Sequence, residues 1–259
     1  MNLDLNQDFH KTLLIFLNKN IIMKNLHLFL VFIFIYSCSR SETSGLNENN
    51  ITNQNQETYS NYTIGNGPFV YFEDKNLKII ILQNKNINKN YDNEISFVEA
   101  KNYSGNIDIS FKNIESIVGL EKFENLNALN ISSNKIMKVD FSEMKNLQYL
   151  DVSLNPFMSL DLSNNNKLIS LDITNSKLTH LDLSKNPDLQ RVSGQCNYEL
   201  RSINIKNGNN KKLMRFSFWL NEPVLECIQV DDVNYFVKNF SNEVVTHAKF
   251  SETSCFGIE

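Results

Sequence analysis

The chain has 259 residues, with 25 lysines and arginines against 29 aspartates and glutamates and a formal charge of −4 at pH 7. That balance excludes a binder driven by nucleic-acid phosphate contacts, and 41% apolar residues exclude wholesale disorder, so one folded domain with tails is expected. Only 8 glycines and 4 prolines stand beside 41 asparagines, which predicts that left-handed turns are mostly taken by Asn, the residue that tolerates that region best after Gly.

In chain order, Met23-Lys24-Asn25 is followed by an apolar run from Leu26 to Tyr36, broken only by His27, and then by Ser37-Cys38. The run is too short to cross a bilayer, which takes roughly 20 apolar residues, and reads as an export signal whether Met1 or Met23 is the start. Ile35-Tyr36-Ser37-Cys38 resembles the lipobox of bacterial lipoproteins, with Tyr36 where a small residue is usual. The resemblance implies leader removal through residue 37 and a lipidated Cys38, whose acyl chains anchor stably at about 0.8 kcal/mol per buried methylene. Ordinary cleavage releasing a soluble protein is the alternative, and both imply an oxidising compartment. From 38 to 67 the chain is polar and lacks periodicity, as expected of a tether.

Order is expected from residue 68. Leu77, Ile80 and Ile81 fall at helical spacing behind Asp74, a suitable N-cap. The next segment fits the spacing of a calcium loop of the EF-hand kind: Asn88, Asn90, Asp92, the Glu94 carbonyl, Ser96 and Glu99 would converge on one hard cation. Asn93 stands where the template has its turn glycine. Only Asp92 and Glu99 bring ligating charge, so calcium would bind weakly, at about 10⁻⁴ to 10⁻³ M as in extracellular modules. The other reading is a decayed loop that only turns the chain, and no cofactor is required.

Self-similarity is the strongest signal in the chain. Leu126, Leu147, Leu168 and Leu189 recur every 21 residues, and each opens the pattern L-x-x-L-x-I-x-x-N. The matches run through Asn134, Asn155, Ser176 and Asn197, and then, after a longer step, from Leu213 to Asn221. In the third coil Asn175 lies one place early, and Gly194 weakens the fourth core. A second apolar set lies half a turn out of phase at Val139/Phe141, Leu160/Leu162, Leu181/Leu183 and Ile203/Ile205. Two short extended segments per coil leave no room for a full helix, which predicts a right-handed solenoid of short parallel strands joined by turns or 3₁₀ pieces. The asparagines should satisfy backbone groups of neighbouring coils.

The words Leu178-Thr179-His180-Leu181-Asp182-Leu183-Ser184-Lys185-Asn186-Pro187-Asp188-Leu189 resemble the leucine-rich repeats of bacterial internalin-like surface proteins, especially the lipoprotein branch. The resemblance implies a small helical N-terminal cap with the calcium-like loop and first turn at 68–125, repeats at 126–221 and a C-terminal cap at 222–259. Cys227 and Cys255 flank that terminal cap. A bridge between them would add about 3 to 4 kcal/mol in the loop-entropy description, the alternatives being free thiols or pairing with Cys196, which reads as core.

Spacing reveals no Cys-His or Ser-His arrangement, zinc motif or phosphate loop, so an enzyme is not expected, and His180 reads as a solvated surface residue. Asp151 and Asp172 should project from one sheet, and Asp140, Asp161 and Asp182 from the other; solvation and salt suffice to relieve the repulsion of such stacked carboxylates, a bound cation being the alternative. Tyr149, Ile169, Arg191, Met214 and Arg215, with Trp219 just beyond, are candidate outward anchors, since aromatic and Arg side chains dominate interfaces. The reading that results is a lipid-anchored binding module of the outer membrane, exposed at the cell surface, that presents its sheet to a protein or glycan and touches the membrane only through its lipid. A periplasm-facing structural or assembly lipoprotein is the alternative.

Overall fold

The computed structural model describes residues 69–219, 224–244 and 248–255. The leader, Cys38, the tether, Asn221 and His247 lie outside the described residues. Helix α1 (Lys75–Gln83) starts where Asp74 accepts the backbone N–H groups of Asn76 and Leu77, at 2.8 and 3.2 Å, and buries Leu77 and Ile81. Helix α2 (Phe97–Asn102) starts at a reciprocal cap: the Ser96 hydroxyl accepts from the Glu99 N–H while the Glu99 carboxylate accepts from the Ser96 N–H.

Ten three-residue strands come next: β1 (Asn106–Asp108), β2 (Ala128–Asn130), β3 (Tyr149–Asp151), β4 (Ser170–Asp172), β5 (His180–Asp182), β6 (Arg191–Ser193), β7 (Ser202–Asn204), β8 (Arg215–Ser217), β9 (Cys227–Gln229) and β10 (Lys249–Ser251), with helix α3 (Val233–Phe240) between the last two. β1-β2-β3-β4-β6-β8 form one sheet and β10-β9-β7-β5 the other, every pairing parallel. In the larger sheet the central residues Ile107, Leu129, Leu150, Leu171, Val192 and Phe216 stand in one register and are all buried. One apolar side chain per coil thus stacks into a continuous core, which makes the architecture a leucine-rich repeat solenoid.

The second sheet is shorter than the out-of-phase pattern suggests. It begins at β5, and the coils of Val139/Phe141 and Leu160/Leu162 contain no strand at those positions. In that stretch the carbonyls of Phe141 and Met144 receive the Asn165 side-chain amide at 3.0 and 2.9 Å, so a side chain makes the link between coils that strand pairing makes further along.

Two asparagine ladders hold the coils together. In the first, the Asn134 amide donates to the carbonyls of Ile109 and Ile131 while its oxygen accepts from the Lys112 and Ile114 N–H groups. Asn155 and Asn197 repeat the donor pattern one and three coils on. Between them, Ser176 gives both its N–H and its hydroxyl to the Asn197 oxygen, each at 2.7 Å. The second ladder, Asn165, Asn186 and Asn207, lies outside the leucine pattern although it too recurs every 21 residues.

The left-handed positions depart from expectation. Among the described non-glycine residues with positive φ, only Asn113 and Asn175 are asparagines; Tyr91, Phe111, Ser133, Leu154 and Cys196 are the others. Phe111, Ser133, Leu154, Asn175 and Cys196 occupy one site per coil, three residues past the end of the strand. There the Phe111, Ser133, Leu154 and Asn175 N–H groups each donate to the next coil. Continuing that ladder fixes the backbone, and the side chain adapts to it.

At the far end, the Phe216, Phe218, Phe236, Phe240 and Phe250 rings pack in edge and tilted contacts with centroids 4.6 to 6.4 Å apart, closing the core. Cys227 and Cys255 are joined in a disulfide, with Cα atoms 5.7 Å apart. Cys196 is buried.

Candidate functional site

Alternation in a three-residue strand sends its first and third side chains outward. On the larger sheet the first row reads Asn106, Ala128, Tyr149, Ser170, Arg191 and Arg215, and the third reads Asp108, Asn130, Asp151, Asp172, Ser193 and Ser217, of which Ser217 is covered and buried. A shallow groove of about 400 Å³ crosses β1 to β4 between these rows, bordered by Asp108, Tyr149, Asp151 and Asp172. Of the six candidate anchors, Tyr149, Arg191 and Arg215 share the first row. Ile169 and Met214 immediately precede their strands, and Trp219 lies just past β8. Tyr149, Arg191, Met214 and Arg215 are exposed, whereas Ile169 and Trp219 are half-buried.

The recurring aspartates have a structural task that their charge does not announce. Asp108, Asp151 and Asp172 each accept the backbone N–H two residues on, at 2.8 to 3.0 Å, as Asn130 does in the same register. Asp140, Asp161 and Asp182 do the same on the other side of the coil. The word Asp-x-Ser is therefore a turn that ends the extended segment. The backbone and hydroxyl of Ser142 hold the Asp140 carboxyl below its usual range, and Ser163 does so for Asp161. Asp172 is pushed upward, because desolvation outweighs its bond from Thr174 and the carboxylate of Asp151 adds repulsion.

The calcium-like loop closes on itself. Asn88 is buried, and its amide donates to the Leu82 and Asp92 carbonyls. Asp92 accepts from the Glu94 N–H and the Asn90 amide, Glu94 pairs with Lys78 at 2.8 Å, and Glu99 accepts from the Lys89 and Ser96 N–H groups. Against the desolvation of partial burial, those bonds hold the Glu99 carboxyl below its usual value. The positive φ expected at Asn93 falls instead on Tyr91, two residues earlier, so the backbone turn differs from that of the template. Among the described residues no group of three or more His, Cys, Asp or Glu is placed to hold a metal ion.

His180 lies at the surface, as its outward position in the repeat suggests, and also makes a contact between coils. On β5 it is exposed, but its Nδ1 lies 2.7 Å from the Ser202 hydroxyl in the facing position of β7. The two lie 22 residues apart, one coil, a relation the repeat period alone announces. Ser202 is itself buried, and the contact ties adjacent coils.

No protein-family model matches the chain, and no curated protein matches it. Solved structures do. An internalin (inlF) of Listeria monocytogenes is 16% identical, with 74% of this chain and 75% of that one covered, at a TM-score of 0.45. Internalin C2 of the same species is 17% identical over 72% of this chain and 90% of that one, at 0.47. A leucine-rich repeat protein of Leptospira interrogans is 18% identical over 60% and 38%, at 0.42. At these identities the likeness is one of fold, and no ligand is carried across with it.

Proposed function

We propose that the chain is a lipid-anchored protein-interaction module of the bacterial envelope, which holds the outer face of its larger sheet toward a protein outside the cell. The observation that carries the reading is that face: Tyr149, Arg191 and Arg215 stand exposed in one register above a fully buried row, on strands fixed coil to coil by hydrogen bonds. Rigid presentation lowers the ordering cost of binding, and Tyr and Arg are the side chains that most often carry interface energy. Lipid anchoring rests on the apolar run from Leu26 to Tyr36 and the lipobox-like approach to Cys38.

The calcium-like loop serves this module as a structural cap, tied to α1 through the Lys78–Glu94 pair and to α2 through the Lys89 N–H, which donates to Glu99. Protease shaving of intact cells tests the address. Release of the folded domain without lysis supports surface exposure. Protection until permeabilisation overturns it in favour of a periplasm-facing assembly lipoprotein.

A further inference from the structure

Arg191 and Arg215 face each other directly in the parallel register of β6 and β8. Both are exposed, and among the described residues neither has a carboxylate within salt-bridge distance; Arg215 acts on Asp172 only through its longer-range field. Like charges opposite one another in a sheet destabilise it. The aspartates of the same face each close a turn, a task in which the two guanidiniums have no part. Paired guanidiniums are suited to carboxylates, which they can hold bidentately.

The face is also two-ended. Asp108, Asp151 and Asp172 border the groove over β1 to β4, each accepting its turn N–H through one oxygen, with Asp108 also bonded to the Asn130 side chain. At about 4.8 Å per strand, Asp151 on β3 and Arg215 on β8 stand three strand steps apart, roughly 15 Å. A polyanion seated on the arginines would meet the aspartates at its other end, and a polycation the reverse. A protein segment carrying both signs satisfies both ends.

Deepening the reading of this sheet as an interaction face, and resting on it, we propose that its occupant is a partner-protein segment with basic residues over β1 to β4, where it also packs on Tyr149 of β3, and acidic residues over β6 to β8. The order of charges selects the partner and its orientation, as electrostatic complementarity does elsewhere.

The test uses the full chain in detergent and four synthetic peptides of equal length and identical apolar centre: lysines then glutamates, glutamates then lysines, all lysine, and all glutamate. Fluorescence anisotropy at low salt should show one of the two-ended peptides binding about tenfold tighter than either single-sign peptide, the worth of roughly one charge contact. The advantage should shrink with added salt. Arg191→Glu with Arg215→Glu should abolish it, while Lys145→Glu, elsewhere on the coil, should not. Equal binding of the all-glutamate peptide, indifference to the arginine reversal, or a salt-sensitive dimer of the chain itself in sedimentation would overturn the proposal. If binding ignores charge but is lost in Tyr149→Ala, the charge assignment falls and the sheet-face reading stands. No binding by either two-ended peptide also overturns the charge assignment, and crosslinking from the sheet then judges the face independently.

Discussion

The Phe218 ring fills the space that a side chain at Gly194 would need. A Cβ built on Gly194 would lie 2.2 Å from Cε1 of Phe218, one coil further along, closer than any real contact. The glycine that looks in the sequence like a weak place in the fourth core is where the terminal aromatic cluster enters the solenoid: Phe218 is fully buried and packs against Phe216 in a tilted contact with ring centroids 4.6 Å apart. Gly194→Ala should therefore destabilise the domain by about 1 to 3 kcal/mol through overpacking. Phe218→Leu in the same chain should recover part of that loss, giving a non-zero coupling in a double-mutant cycle followed by denaturant melts.

The asparagine ladders predict costs that surface asparagines do not share. Asn197→Ala removes the acceptor of Ser176 and the donor to the Ile173 and Gly194 carbonyls, all in buried surroundings. At about 1 to 3 kcal/mol per orphaned group, the loss should far exceed that at a surface asparagine such as exposed Asn166, where Asn166→Ala should stay within about 0.5 kcal/mol. Thermal melts of the two variants side by side check this.

Phe111 carries an exposed ring, 77% accessible, on a backbone at φ 56. A non-glycine residue there costs roughly 1 to 2 kcal/mol, and Asn relieves part of it. Phe111→Asn should raise the melting temperature. Leu154→Asn, at the same site two coils on but only 36% exposed, should gain less because some burial is lost.

Acid behaviour is set by the carboxyls. Asp140 and Asp161 titrate below their unfolded value of 3.8, so their contribution is complete above that value and is lost as pH falls through the lower folded value. Asp172, raised by desolvation, acts oppositely: its ionisation costs stability as pH rises through the raised folded value. Asp172→Asn should be neutral or stabilising at pH 7, since Asn130 makes the same turn bond in the same register, and Asp161→Ala should destabilise. Melts between about pH 3 and 7 separate the two signs.

Calcium at millimolar concentration should leave the melting temperature unchanged, because Glu99 and Asp92 are engaged by neighbouring N–H groups and the loop turns at Tyr91. A shift abolished by Glu99→Gln would contradict this.

Much of the solenoid is legible in the sequence because its determinant is periodic. A leucine every 21 residues has one geometric use, and the roles of Asn134 and Asn155 derive from it. The features that escape a sequence reading depend on pairing across coils or on backbone requirements that composition does not encode. Nothing local to Gly194 announces a ring from the next coil. Leu154 and Phe111 sit left-handed because the ladder requires it there, against their own preference. The turn role of Asp-x-Ser is carried by a recurring word in plain view, but the charge of the aspartate suggests solvated surface first. For the sheet face, the 21-residue register is enough to bring Tyr149, Arg191 and Arg215 into one row, whereas exposure at Ile169 and Trp219 depends on packing that only the structure displays.

Whether the outer face of the larger sheet meets a protein can be read by photo-crosslinking in the full chain in its own cells. Crosslinking residues would be placed singly at Tyr149, Ser170 and Met214 on that face, and at Lys145 and Lys185 elsewhere on the coils. One common protein adduct should form from the three face positions and none from the two others. Adducts from Lys145 and Lys185 alone, or equal labelling from every position, would show that the sheet face is not the interaction surface.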